Sequence, residues 1–472
     1  MASTKTFIGP RLRQLRRSRS ETQADMARAL GVSPSYINLL ENNQRSLSIP
    51  LLVRLSDTYG IEWRNLLDDD TSSLLADLRR AFQNPVFGDE KPDLQELRSA
   101  LAHCPTLAAG LLRLHESYEA LTERFLAISD SGSEEAEGAA PASPESVVHD
   151  LFRRHGNHFP KLEDAAEAFR AGDAIETAEL YSYLKERLLH AKGIHVRTVP
   201  AAEMPRSLRE YDERRGLVLL SEGLDYQNKV FQLTHVAGML EYGDTFDGIL
   251  AAAGIHDARE QSRCRTELAN YFAAAVLMPY AAFLNEARTS RYDLDYLASR
   301  FGVSFEQAGH RITTMRREGD RGVPFFFLRV DIAGNVTKRF NATSFHLAEH
   351  GGACPRWDIH QTFKTPGRVI PQFVELPDGS RYFTFSRTVR RPALGGPTQN
   401  VYLAVTLGCP IEYAQEVVYA VPFQLGDPGI VTPIGINCRL CPRQHCAQRA
   451  HQPLHLKFPI DSRRRGPTRF ES

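Results

Sequence analysis

The chain has 472 residues, 42% of them hydrophobic and 24% charged, with a formal net charge of +0. These values exclude a polycation and are those of a soluble globular protein, and the length predicts about three domains. No apolar run is long enough to span a bilayer, and the N-terminus lacks the apolar stretch of a secretory signal, so the expected location is the cytoplasm with no membrane partner. The charge is uneven: Lys5, Arg11, Arg13, Arg16, Arg17 and Arg19 stand in the first twenty residues with no acid among them. A basic head on a neutral body predicts a local anionic partner.

Residues 8–67 read as all-helical. Thr22 is placed to cap a helix whose inner face is Met26, Ala27 and Leu30, and Gly31 permits a sharp turn. Ser33 caps a second helix and Pro34 takes its first position, where a missing N–H costs little. Ile37 and Leu40 point inward, leaving Ser35, Tyr36, Asn38 and Asn42 outward. This is a helix-turn-helix layout, in which the second helix enters the major groove. Asn and Ser suit base edges, whereas Arg11, Arg16, Arg17 and Arg45 suit phosphates. Gln23 and Ser33, at the two helix starts, complete the expected DNA-contact set. A plain helical hairpin with a solvated face would not need the caps, the turn glycine and the basic flank together. The string from Glu21 to Asn42 resembles the XRE/Cro–C1 repressor family.

Residues 71–129 continue as helix, broken at Pro85, Pro92 and Pro105. After Pro105, Leu107, Leu111, Leu114, Tyr118, Leu121 and Phe125 recur at spacings of 4, 3, 4, 3 and 4. That heptad stripe is either a dimer seam or a helix packed on its own domain. Residues 130–145, Asp130-Ser-Gly-Ser-Glu-Glu-Ala-Glu-Gly-Ala-Ala-Pro-Ala-Ser-Pro144 and Glu145, cannot bury a core and read as a flexible linker.

Residues 146–320 are mixed. Helices are expected at 177–189, 228–242, 262–276 and 293–301, with short strands at 194–199 and 217–220. Two strings stand out: Phe231-Gln-Leu-Thr-His235-Val236-Ala-Gly-Met239, and Thr266-Glu267-Leu-Ala-Asn270-Tyr271. They resemble the ImmA/IrrE metallopeptidase family, where His-Glu-x-x-His and a further acid hold zinc. Here His235 and Glu267 remain, but Val236 replaces the general base and Met239 the second histidine. One His and one Glu cannot hold catalytic zinc in the usual way. Peptidase activity is therefore rejected, and His235 reads as a core histidine. A retired site leaves a pocket open to reuse. A phosphate-bearing ligand would need cations, and Arg197, Arg209, Arg214, Arg215 and Lys229 are the candidates, with Tyr271 or Tyr280 for stacking or hydrogen bonding.

Residues 321–472 turn β-rich, with strands expected at 325–330, 336–340, 381–387 and 401–406 and a turn at Gly334-Asn335. Cys438-Arg-Leu-Cys441-Pro-Arg-Gln-His-Cys446 places three thiols within nine residues. The C-x2-C spacing lets two thiolates meet one centre, and a fourth ligand must come from elsewhere. Cys409, between Gly408 and Pro410, is the first choice and Cys354, before Pro355, the alternative. Four thiolates suit a 4Fe–4S cluster or structural zinc, and the absence of a second C-x2-C pair favours iron–sulfur. Cys104 and Cys264 read as packing residues.

The expected fold is thus multidomain: an all-α helix-turn-helix head (1–70), helical connector (71–129), linker (130–145), an α+β degenerate metallopeptidase-like middle domain (146–320), and an α+β C-terminal cysteine-cluster domain (321–472). The whole chain resembles the short-chain fatty acid (acyl-CoA) responsive transcriptional regulators. The most specific marks are Gly351-Gly-Ala-Cys354-Pro-Arg-Trp357 and the segment from Cys438 to Arg449. The resemblance implies control of propionate- or acetate-type metabolism, an acyl-CoA effector in the middle domain and a C-terminal iron–sulfur cluster. The expected assembly is a homodimer or higher homo-oligomer on operator DNA. A redox-sensing factor without a small-molecule effector, or a zinc-stabilised regulator, are the alternatives.

Overall fold

The computed structural model describes residues 9–19, 21–42, 44–45, 47–59, 70–82, 84–88, 91–131, 144–170, 179–341, 343, 345, 353–391, 402–453, 463 and 466. The chain forms two compact units, Met1–Thr122 and Glu123–Ser472. The linker expected at 130–145 lies mostly outside the described residues.

In the first unit, α1 (Gly9–Ser18), α2 (Gln23–Leu30), α3 (Pro34–Glu41) and α4 (Ile49–Tyr59) close over Leu12, Met26, Leu30, Ile37, Leu40 and Leu55. Each such buried aliphatic contributes about 1.5–3 kcal/mol relative to exposure. The local chemistry is as the sequence dictates. Thr22 and Asp25 form a reciprocal capping box, and Gly31 ends α2 at φ 65°, a left-handed conformation that a Cβ would strain. Ser33 accepts from the Tyr36 N–H, with Pro34 in the first turn.

A second cluster joins α5 (Asp70–Ala81), α6 (Leu94–His103) and α7 (Pro105–Ser131) through Leu78, Ala81, Leu97, Leu101, Ala108 and Leu112. The heptad stripe on α7 is not the buried face. Leu107, Leu114, Tyr118 and Leu121 are exposed, and Leu111 packs partly into the cluster. The Phe125 side chain lies outside the described ones. Cys104, read as a packing residue, is exposed because it sits at the end of α6 rather than on an inner face.

The second unit opens with α8 (Pro144–Arg154), α9 (Pro160–Arg170) and α10 (Leu180–Lys192). A three-stranded sheet follows, from β1 (His195–Val199), β2 (Arg209–Asp212) and β3 (Leu217–Ser221), with order β1-β3-β2. Then come α11 (Tyr226–Glu241), α12 (Gly243–Ala252), α13 (Ala258–Leu277), α14 (Tyr280–Thr289), α15 (Leu294–Phe301) and α16 (Phe305–Ile312). The chain ends in a mostly antiparallel sheet of β4 (Phe326–Val330), β5 (Val336–Asn341), β6 (Ile370–Glu375), β7 (Arg381–Arg390), β8 (Tyr402–Pro410) and β9 (Val431–Pro433), in the order β5-β4-β8-β7-β6-β9.

Successive strand residues face opposite ways, and the large sheet uses both faces. Phe327, Phe385 and Leu407 join Leu233, Phe272 and Phe283 of the helices in one core. Phe326 and Leu328 face a second cluster with Phe345, Trp357, Cys354 and Ile434. The helical and β-rich parts on either side of residue 320 therefore share a core, and Cys354 sits on the sheet's other face. β2, β6 and β9 are strands that the periodicity did not single out. Among the described residues, no single helix is long and apolar enough to cross a membrane.

Candidate functional site

The outward face of α3 carries Ser35, Asn38 and Asn42, all exposed. Arg45 lies 5.1 Å over the ring of half-buried Tyr36. The Ser33 hydroxyl serves as the α3 cap, so only its remaining bonding capacity faces outward. Behind this face is a hub that the sequence reading missed. Glu41 is only 2% exposed and receives Arg16 Nε at 2.6 Å, Arg16 Nη2 at 3.1 Å and Gln23 Nε2 at 2.9 Å. Burial pushes the Glu41 carboxyl up, but those bonds and the Arg13 charge outweigh it and hold it below its ordinary value.

Arg16, expected on phosphate, is thus committed to an internal carboxylate. Arg13 spans the gap instead, donating to the Glu41 carbonyl at 3.2 Å and to Asn42 Oδ1 at 2.5 Å. Asn42 Nδ2 donates in turn to Asn38 Oδ1 at 2.9 Å. Asn38 and Asn42 therefore stand in one hydrogen-bonded row. The side chains of Arg11 and Arg17 lie outside the described ones.

In the second unit, α11 presents His235 and α13 presents Glu267, as the metallopeptidase-like strings require. The place beside His235 is taken by a guanidinium: Arg209 Nη1 lies 2.6 Å from His235 Nδ1. Burial and the Arg209 charge lower the His235 pKa to about 3, so the ring is neutral and Nδ1 accepts a hydrogen bond from Arg209. Arg209, expected on a ligand phosphate, is held in this relic site, because the β2–β3 register points it back at α11. Glu267 faces its own cations: Arg263 Nη1 at 2.8 Å and Lys338 Nζ at 3.5 Å, with Asn270 donating at 3.2 Å. Burial pushes Glu267 up, but Lys338 and Arg263 outweigh it and leave its pKa at about 2. Val236 is buried, and Met239 lies at the surface.

The other expected ligand residues disperse. Arg197 is exposed on β1, Arg214 and Arg215 are exposed on the β2–β3 turn, and Lys229 is half-buried on α11. Tyr271 cannot stack on a ligand, since it is 1% exposed and donates to Glu163 at 2.5 Å. Tyr280 is equally buried, bonded to the Asp320 carbonyl at 2.8 Å. The apolar setting of α13 conceals this in sequence: a tyrosine on a buried face looks the same as one at a pocket mouth.

The cysteines separate cleanly. Cys354, Cys438, Cys441 and Cys446 line one small recess with Gly435, Arg443 and Arg449. Cys409 lies on β8 opposite Phe383, fully buried, with Glu412 and Glu416 as its nearest charges. The recess thus brings Cys354, the alternative fourth thiol, beside the triplet and leaves Cys409, the first choice, outside it. Strand alternation is the reason, since it turns Cys409 into the helical core, away from the triplet. Burial pushes the Cys354 thiol up, partly offset by N–H donation from Gly435 at 3.4 Å.

Gly435 is required here, because a Cβ would stand 2.7 Å from Cys441 Sγ. The loop is held by arginines rather than by regular structure. Arg443 donates to the Ile434 and Glu375 carbonyls at 3.0 and 2.8 Å, and buried Arg449 donates to the Cys438 carbonyl at 3.2 Å and to that of Arg443. Among the described residues, no three His, Cys, Asp or Glu side chains converge on a point that would hold a bare ion.

Residues 12–66 match the helix-turn-helix family, 189–313 the IrrE N-terminal-like domain, and 314–470 the short-chain fatty acyl coenzyme A regulator C-terminal domain. The chain is 37% identical over 469 residues to the propionyl-CoA carboxylase regulator of Cereibacter sphaeroides, covering 99% of each. It is 33% identical to the HTH-type transcriptional regulator RamB of Mycobacterium tuberculosis, covering 98% of each, and 34% identical to PrpR of that organism, covering 97% of this chain and 94% of PrpR. A solved Mycobacterium tuberculosis transcriptional regulator is similar at a TM-score of 0.66 and 34% identity, over 70% of this chain and all of that one.

Proposed function

Because this chain belongs to the family of short-chain fatty acyl-CoA responsive transcriptional regulators, we propose that it controls genes of propionate- or acetate-type metabolism in response to an acyl-CoA. The observation that carries the reading is the pairing, in one chain, of an outward Asn38–Asn42 row on α3 with a four-thiol recess in a unit whose metallopeptidase relic is filled by Arg209. The first suits base edges in a major groove. The relic lacks the second histidine and the general base, which supports a binding rather than a hydrolytic role. A single copy of the head per chain favours a homodimer or higher homo-oligomer reading two half-sites.

Cys354, Cys438, Cys441 and Cys446 would hold a 4Fe–4S cluster. The donor set suits it: four thiols, N–H donation to one sulfur, and a glycine where a side chain would intrude. When bound, the cluster would cross-link Cys354, beside the sheet, to the arginine-stitched loop.

The experiment is to select operators from random duplexes with the full-length protein purified without air, then titrate the recovered site with and without propionyl-CoA. The reading expects recovery of a sequence with two related half-sites and an operator affinity that acyl-CoA changes. Recovery of no common sequence, or an affinity indifferent to every short-chain acyl-CoA, would overturn it. Affinity that followed oxidation alone would favour the redox-only alternative.

A further inference from the structure

The relic site leaves a charged recess on its outer side, enclosed by α8, α13 and β5 and lined by His149, Arg263, Glu267, Lys338, Arg339 and Phe340. It holds about 150 Å³, the room of roughly five waters at about 30 Å³ each, enough for a phosphate group and too little for a whole nucleotide. Arg263 and Lys338 meet two carboxylates here. One carboxylate, Glu145, is largely exposed and reaches Arg263 only at 3.4 Å. The other, Glu267, is 5% exposed and takes Arg263 and Lys338 together.

Two cations from different elements, a helix and an edge strand, are thus aimed at one buried oxygen pair. This is the geometry that binds a dianion, with an internal carboxylate in its place. Behind Lys338 stands His310, 7% exposed, its Nε2 without a hydrogen-bond partner and its ring 4.2 Å from that of Phe340.

We propose that this recess binds a phosphate group of the effector, and that Glu267 is a built-in counter-anion that holds Arg263 and Lys338 in readiness. The inference rests on the acyl-CoA reading and gives it a place. Phosphate entering the recess draws the two cations from Glu267 and displaces Glu145 outward. The elements it bridges are α8, the first described helix after residue 131; α13, which carries the relic site; and β5, the edge of the large sheet. Phosphate would therefore report to all three at once. Arg197, Arg214 and Arg215 offer no such enclosure, since all three are exposed.

The test is calorimetric titration of the full-length protein with coenzyme A and, separately, inorganic phosphate, comparing wild type with Lys338→Met, Arg263→Met and Glu267→Gln. Near-UV circular dichroism and urea unfolding check each fold. Each cation substitution is expected to weaken coenzyme A by about tenfold or more, the scale of one charge-assisted hydrogen bond. Glu267→Gln removes the competing anion and is expected to tighten binding several-fold even if it lowers stability. A merely structural Glu267 would not do that, so this variant decides if the cation variants fail to fold. Coenzyme A bound equally by wild type and all three variants overturns the recess and leaves the acyl-CoA reading standing. Phosphate bound through Lys338 while coenzyme A is refused upholds the recess and sinks that reading. Binding of neither probe overturns both.

Discussion

Arg311 on α16 forks onto Glu163 on α9 with both side chains sealed from solvent, Nη1 to Oε1 at 2.7 Å and Nη2 to Oε2 at 2.9 Å. The pair is fully satisfied: Tyr271 donates to Glu163, and Arg311 also reaches the Met278 carbonyl at 3.0 Å. Breaking one partner strands a buried charge, so Glu163→Gln is expected to cost on the order of 3–5 kcal/mol, read by urea unfolding. Replacing the two together, as Glu163→Leu with Arg311→Met, should recover most of that loss. A double variant as unstable as the single one would show that the charge pair itself is needed.

His235 and His310 are both buried and both held neutral, each lowered to about 3 by burial first and then by a neighbouring cation, Arg209 or Lys338. Their unfolded forms protonate near 6.5. Below that pH the unfolded chain takes up protons that the folded one refuses. Stability is therefore fully present above about pH 6.5 and falls as pH drops towards 3, with a slope nearing two protons, roughly 2.7 kcal/mol per pH unit. Urea midpoints between pH 7 and 5 check the sign. Arg209→Met should raise the His235 value, measurable by NMR, without creating zinc-dependent peptidase activity.

Cys354 shares a recess with Cys438, Cys441 and Cys446, whereas Cys409 lies in the helical core. Cys354→Ala is expected to lower the bound iron and sulfide of protein purified without air, with loss of visible absorption. Cys409→Ala should keep both and lower stability by about 1 kcal/mol, as a small buried deletion in a packed core. Iron lost with Cys409 and kept without Cys354 would reverse the ligand assignment.

On the head, Asn38→Ala is expected to cost about 1–3 kcal/mol on the recovered operator and to relax selection at one position. Arg45→Ala should weaken all duplexes alike and lower the salt slope by about one. Glu41→Gln should loosen the head itself, since it unpairs Arg16; a thermal melt of the variant separates that from lost contacts.

Legibility followed locality. The caps at Thr22 and Ser33, the turn at Gly31 and the inward Ile37 and Leu40 were readable because each depends on neighbours within four residues. The departure from His-Glu-x-x-His at Val236 and Met239 was equally plain. What failed depended on distant partners. Arg16 and Arg209 read as ligand-facing cations until Glu41 and His235 were in view, each more than twenty residues away. Tyr271 and Cys409 read as site residues because sequence shows composition, not which side of a strand or helix meets the core. The α+β assignment of the final third held, yet β6 escaped notice because Pro371 interrupts its pattern. The recess at Glu267 rests on β5, which the motif strings do not reach.

If one chain couples an acyl-CoA to an operator, the coupling is reciprocal. The most direct measurement is the dissociation constant of propionyl-CoA for the full-length protein, taken with and without saturating operator DNA. The two values are expected to differ by about fivefold or more, by the same factor as the operator's own affinity changes with acyl-CoA. Equal values, with both ligands demonstrably bound, would contradict the coupling.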